Sequence, residues 1–339
     1  MRFIIERNNI FSRAKAVAVS ANFIACATGG KVKIYNHGMN LIHVIDNLKY
    51  VYNCEFSPDE KRLLLLSITN CYYVFSLSTF ELTRHLVKGE YTGNLEGRGC
   101  WTLDGQGCLL CVMRKRSSQS ALRIYPDVTS GEFRDFLCDQ YWLSSVTHIP
   151  KYNAYLISGS KQKHGGSFLI WYDGKTFYET LIKDGDKIGG IADVQFNVQN
   201  GLFIVRGTLG TTVCNIKGES VCSHSLLQQP CAEFSFSDVF QSVPLDDERR
   251  KVITTLSECF GFEHIQVPDH ITALCYSKTA PYIYIGTFQK LYCVDAQNHT
   301  VEASIDVPFG VINIQEWDTD SLIVTSLDSV EFIKIQHDG

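Results

Sequence analysis

SGSKQKHGGSFLIWYDG, residues 158–174, reads as a strand ending in small residues, a polar hairpin, and a second strand closing in Trp171-Tyr172-Asp173. Apolar residues fall in short runs bounded by Gly and polar clusters, which is strand patterning rather than helical spacing. The same plan recurs along the chain. It pairs Phe23–Thr28 with Lys31–Tyr35, Arg62–Ser67 with Cys71–Phe75, Cys108–Met113 with Ala121–Tyr125, and Leu202–Gly207 with Gly210–Asn215. Further copies pair Lys251–Thr255 with Cys259–His264, Tyr282–Gly286 with Lys290–Val294, and Leu322–Ser326 with Val330–Ile335.

An apolar strand precedes each hairpin, starting near Ala16, Val51, Gly99, Val146, Ile191, Cys231, Ile271 and Val311. Most hairpins are followed by a further strand, such as Leu41–Ile45 or Phe177–Leu181. The unit is a four-stranded antiparallel meander of roughly 40 to 45 residues, the size of a propeller blade. A lone sheet of this kind cannot bury both faces, and radial packing about an axis solves that problem. The expectation is an all-β propeller of eight blades, forming one domain over residues 1–339. Seven blades is the fallback, because 231–269 can be parsed in two ways. The last unit runs out after its third strand, so Arg2–Glu6 is expected to complete it and lock the ring, leaving no exposed sheet edge there.

The 339 residues are 45% hydrophobic and 20% charged, an ordinary globular composition with ample core material. Sixteen Tyr and twenty Phe favour strands. The net charge of −5 gives no support for a nucleic-acid partner. No run reaches the roughly 18 apolar residues of a membrane span, and Met1–Arg7 lacks a signal-peptide core. Thirteen Cys, mostly single within apolar strands, read as reduced thiols packed as small hydrophobes, so a cytoplasmic location is expected.

Ser158-Gly159-Ser160 and Leu169-Ile170-Trp171-Tyr172-Asp173 resemble the small-residue strand end and the Trp-Asp strand of WD-repeat propellers. Ile34-Tyr35-Asn36, Ile124-Tyr125-Pro126 and Val294-Asp295 are weaker echoes, and Phe56-Ser57-Pro58-Asp59 looks like the family's turn after the inner strand. The likeness covers nearly the whole chain by pattern and is motif-specific in one unit. No unit carries the family's Gly-His pair, and seven of the eight lack the Trp. The resemblance implies a propeller and, by fold-level analogy, a binding platform.

Cys108-x-x-Cys111 invites a metal reading, but residues three apart on a strand point to opposite faces, so no metal site is expected. There is no phosphate-binding loop, no nucleotide fingerprint and no nucleophile elbow, and no cofactor is expected. Glu55, Asp193, Glu233 and His148 are polar residues on inner strands. They carry the alternative reading of a lactonase, hydrolase or lyase at the axial channel.

The leading candidate is electrostatic. In a meander the second-to-third loop and the blade crossover leave on one face. The hairpin loops with Arg114, Lys115 and Arg116, and with Lys161, Lys163 and His164, would then share a rim with Tyr141 and Trp142 of the crossover between them. Such a rim suits an acidic or phosphorylated protein partner, with cations steering and aromatics supplying contact area. The expectation is a non-enzymatic interaction scaffold.

Overall fold

The computed structural model describes all residues except 8–15, 94–98, 116–118, 162–164, 184, 199, 208–210, 222–234, 236–240, 243–270, 299, 308–309, 327–328 and 337–339. The first strand, β1 (Arg2–Arg7), finds its partner only at the far end of the chain. Blade one comprises β2 (Ala16–Val19), β3 (Phe23–Thr28), β4 (Lys31–Asn36) and β5 (Leu41–Ile45). Blade two is β6 (Val51–Phe56), β7 (Arg62–Ser67), β8 (Cys71–Ser76) and β9 (Leu82–Leu86). Blade three is β10 (Gly99–Trp101), β11 (Cys108–Met113), β12 (Ser120–Tyr125) and β13 (Arg134–Phe136).

Blade four is β14 (Tyr141–Ile149), β15 (Ala154–Lys161), β16 (Gly165–Tyr172) and β17 (Phe177–Ile182). Blade five has β18 (Ile191–Asn197), β19 (Leu202–Gly207) and β20 (Thr211–Cys214), with a bridge from Cys214 to Ser220. A two-residue strand, β21 (Gln241–Ser242), then adds to the outer edge of blade four. Blade six is β22 (Ile271–Tyr276), β23 (Tyr282–Thr287), β24 (Lys290–Asp295) and β25 (Val301–Asp306). Blade seven is β26 (Val311–Asp318), β27 (Ser321–Ser326) and β28 (Val330–Gln336), with β1 as its outer strand. Among the described residues every pairing is antiparallel, and helix is confined to one turn at Gly185–Ile188 and a 3-10 turn at Pro150–Tyr152.

The run Leu63-Leu64-Leu65-Leu66 shows why the strands read as continuous apolar blocks. Leu63 and Leu65 pack toward blade one, and Leu64 and Leu66 toward blade three, so both faces of β7 are core. Each seam of the ring has its own cluster of this kind. Leu109 and Cys111 meet Val146 and Ile157, and Leu169 and Trp171 meet Phe203 and Val205. Tyr284 meets Leu322 and Val324, and Ile323 and Val330 meet Ile24 and Cys26 to close the circle. Small residues near the end of the second strand let the next blade approach. A Cβ on Gly286 would sit 2.5 Å from the Val311 side chain, and one on Gly207 would sit 2.0 Å from the Ile188 carbonyl.

The ring has seven blades, the fallback of the expectation, rather than eight. Leu202 and Ile204 of blade five pack directly on Ile283, Ile285 and Tyr292 of blade six, so no sheet can stand between them. The extra unit placed at Cys231–His264 falls outside the described residues, apart from Ser235 and from β21, which pairs with blade four rather than founding a blade. The expected lock is present: Phe3 pairs with Ile335 and Ile5 with Ile333. Phe3 is buried in the cluster between blades six and seven.

Candidate interaction rim

The loops of the rim share one face. The crossover into blade three passes under the β11–β12 hairpin, where the Gly93 amide donates to the Met113 carbonyl at 2.7 Å. On blade six, a Cβ on Gly310 of the next crossover would lie 3.3 Å from Phe288 of the hairpin.

Arg114 does not project freely. Its guanidinium lies over the Tyr91 ring, 5.2 Å from the centroid, and donates to Asp139 Oδ2 at 2.9 Å. It also pairs with Glu90, and the Tyr91 hydroxyl donates to the other Asp139 oxygen at 2.9 Å. Lys161 is held in the same manner. Its ammonium sits 3.1 Å from Glu179 Oε2, 4.3 Å from the Phe168 ring centroid and 5.3 Å from that of Tyr141. The Tyr141 hydroxyl donates to Glu179 as well. Burial first, and the neighbouring carboxylate second, push the Tyr141 phenol well above its usual range.

Three of the expected rim residues, Arg114, Lys161 and Tyr141, are engaged within the chain. Arg114 is neutralised by Glu90 and Asp139 of the two neighbouring crossovers, and Lys161 by Glu179 of the outer strand of its own blade. Tyr141 is 1% exposed and packs against Phe168 edge-on, so it supplies core rather than contact surface. Its neighbour Trp142 points the opposite way, as alternation along a strand requires, and is 49% exposed. Lys115 is exposed. Arg116, Lys163 and His164 lie outside the described residues.

The rim carries more aromatic surface than the sequence suggested. Tyr50, in the crossover between blades one and two, and Phe288 are both exposed large side chains on this face. Each is a single aromatic in a polar loop, and only the folded ring puts them on the face that holds Trp142. The charge of the connections also differs between faces. Among described residues outside strands, the rim has six cations (Lys49, Lys88, Arg114, Lys115, Lys183, Lys187) against four anions (Asp46, Glu90, Asp139, Asp186). The opposite face has five cations (Lys61, Lys151, Lys175, Lys217, Lys278) against nine acids. The acids are Asp59, Glu60, Glu81, Asp104, Asp127, Glu132, Asp173, Glu219 and Asp320.

The described inner-strand polar residues, Glu55, His148 and Asp193, are not brought together. His148 pairs with Tyr155 at one end of β14, and burial holds its imidazole below the usual range. Asp193 lies near the opposite end of β18, with Arg206 Nη2 4.0 Å away. Glu55 lends its backbone carbonyl to Trp101 Nε1 at 3.0 Å, and Glu233 is outside the described residues. Among the described residues no three His, Cys, Asp or Glu side chains converge as a metal site. Cys108 packs in the seam with blade two and Cys111 in the seam with blade four, on opposite faces of β11. Burial pushes the Cys111 thiol up to about 12. No described helix is long and apolar enough to cross a membrane.

Compared with protein-family models and with curated proteins, the chain matches none. What the residues establish is a seven-bladed β-propeller, a fold compatible with an interaction scaffold.

Proposed function

We propose that the chain, as a single propeller unit, is a non-enzymatic scaffold of the WD-repeat type, cytoplasmic, that docks an acidic or phosphorylated protein on the rim between blades three and four. The observation that carries this reading is Trp142, half exposed on the face whose described connections are net positive. Aromatic residues desolvate large areas at little entropic cost, and they dominate interface energetics. Lys115, Arg116, Lys163 and His164 steer the partner, while Arg114 and Lys161 hold the rim in shape through their acids. Trp171, buried against Tyr152, Phe196 and Phe203, supports the WD-type assignment of blade four. The free thiols of the ten described cysteines fit a reducing compartment.

The test places a photo-crosslinking side chain at position 142, and separately at 175 on the opposite face, in the native cell. Adducts specific to position 142, weakened by salt and by Lys115→Glu, are expected. Equal labelling from the two faces would remove the rim from consideration.

A further inference from the structure

Outer strands are exposed to pairing with foreign chains, and folded proteins blunt them with charge, bulges, brevity or cover. Five of the described outer strands are blunted in one of these ways. β1 carries charged ends at Arg2 and Arg7, and its register with β28 breaks between Ile5 and Arg7. The β4–β5 ladder shifts between Ile34 and Tyr35, and the β24–β25 ladder between Cys293 and Val294. β25 also bears Glu302 and Asp306. β13 is only three residues long. β17 is covered: β21 pairs along it at Tyr178 and Glu179, and none of its six residues is exposed.

β9, Leu82-Thr83-Arg84-His85-Leu86, has neither bulge nor cover, and its one full charge, Arg84, stands between two exposed leucines. It pairs with β8 without a register shift from Cys71–Leu86 to Phe75–Leu82. Four of its five residues are exposed, with Leu82 at 38% and Leu86 at 51%. Its partners Phe75, Tyr73 and Cys71 face blade one, so Leu82, Arg84 and Leu86 form a row on that face. Phe80 extends the row at its lower end by stacking on His43 of blade one, with ring centroids 4.8 Å apart. The row is apolar, cationic, apolar, with no carboxylate on the strand.

We infer that the outer edge of blade two is a strand-addition site for an extended segment of a partner protein reading apolar-x-acidic-x-apolar. Strand addition supplies backbone hydrogen bonds, and alternate side chains supply selectivity. The two apolar positions lie across from Leu82 and Leu86, and the acid lies across from Arg84, since directly opposed cross-strand pairs of opposite charge are favourable. This chain already uses the same device on itself, where Gln241–Ser242 adds to β17. The site is on the ring's circumference, separate from the rim proposed above, and stands or falls independently of it.

The experiment uses the full chain and a fluorescent peptide, acetyl-Thr-Leu-Thr-Glu-Thr-Leu-Thr-amide. Saturable binding is expected, with slowed hydrogen exchange confined to β9. Arg84→Glu and Leu86→Thr should each weaken binding by about tenfold or more, and a peptide with Glu replaced by Lys should reverse its preference toward Arg84→Glu. These positions are exposed, so unchanged thermal unfolding verifies that the variants fold. No saturable binding, or binding indifferent to both variants, overturns the inference. A concentration-dependent dimer abolished by Leu86→Asp also overturns it, since a second copy of the chain would then be the occupant.

Discussion

Arg123, with no exposed surface, forks both oxygens of Asp135, from Nε and Nη2, at 2.7 Å each. The same guanidinium donates to the Lys88 carbonyl and lies 3.8 Å from the Phe133 ring centroid. It thereby ties the crossover from blade two to the outer strand of blade three. Removing one member of such a pair strands a buried charge. Asp135→Ala should therefore cost about 3–5 kcal/mol, whereas the double change with Arg123→Met should recover much of that loss. Urea unfolding of the two variants measures the difference, and equal losses would refute the account.

The ring is closed by residues that lie far apart in sequence. Phe3 sits in the cluster of Leu322, Val324 and Ile333. Phe3→Ala should cost about 3 kcal/mol by leaving a cavity there. Deleting residues 1–7 should cost more, and should cause aggregation through the bared edge of β28. Light scattering on heating reads the second effect.

Acid sensitivity follows from the turns on the acidic face. The Ser57 hydroxyl donates to Asp59 at 2.7 Å, and the Thr102 hydroxyl to Asp104 at 2.6 Å. The Thr129 amide donates to Asp127 at 2.7 Å. These hydrogen bonds hold all three carboxyls below the usual range. A depressed folded pKa means the unfolded chain binds the proton more tightly. The stability these groups add is complete above the ordinary carboxylate range and is lost as pH falls through the depressed folded values. Replacing all three with Asn should flatten the acid limb of a melting-temperature profile and leave its neutral region nearly level.

Glu331 should behave in the opposite sense. It is buried, Ser329 donates to it at 3.4 Å, and burial raises its pKa. Its contribution is most favourable below the unfolded value and is lost as pH rises through the folded one. Glu331→Gln should therefore stabilise the protein at neutral pH, with the gain shrinking under acid. A pH-independent effect would contradict this.

Tyr141 and Trp142 are sequence neighbours with different work. Tyr141→Phe should cost about 1–2 kcal/mol through the lost bond to Glu179, with little effect on partner binding. Trp142→Ala should leave the unfolding midpoint almost unmoved and reduce crosslinking from a photo-reactive side chain placed at Gln140, in the adjoining crossover. The reverse pattern would exchange their roles.

Strand positions were legible from the residues because their causes are local. Alternation along Tyr141–Leu143, the leucine run of β7, and the small residues at Gly207 and Gly286 each record which face of a strand is buried. The opposite orientation of Cys108 and Cys111 followed from the same periodicity. The blade number and the rim's chemistry were decided only in three dimensions. Whether blade five meets blade six depends on Ile204 touching Ile285, a contact about 80 residues apart that no local spacing encodes. Lys161 is neutralised by Glu179, which sits two strands away and in a different row of the ladder, because the long side chains reach across the folded face of the blade, a proximity that sequence spacing does not encode.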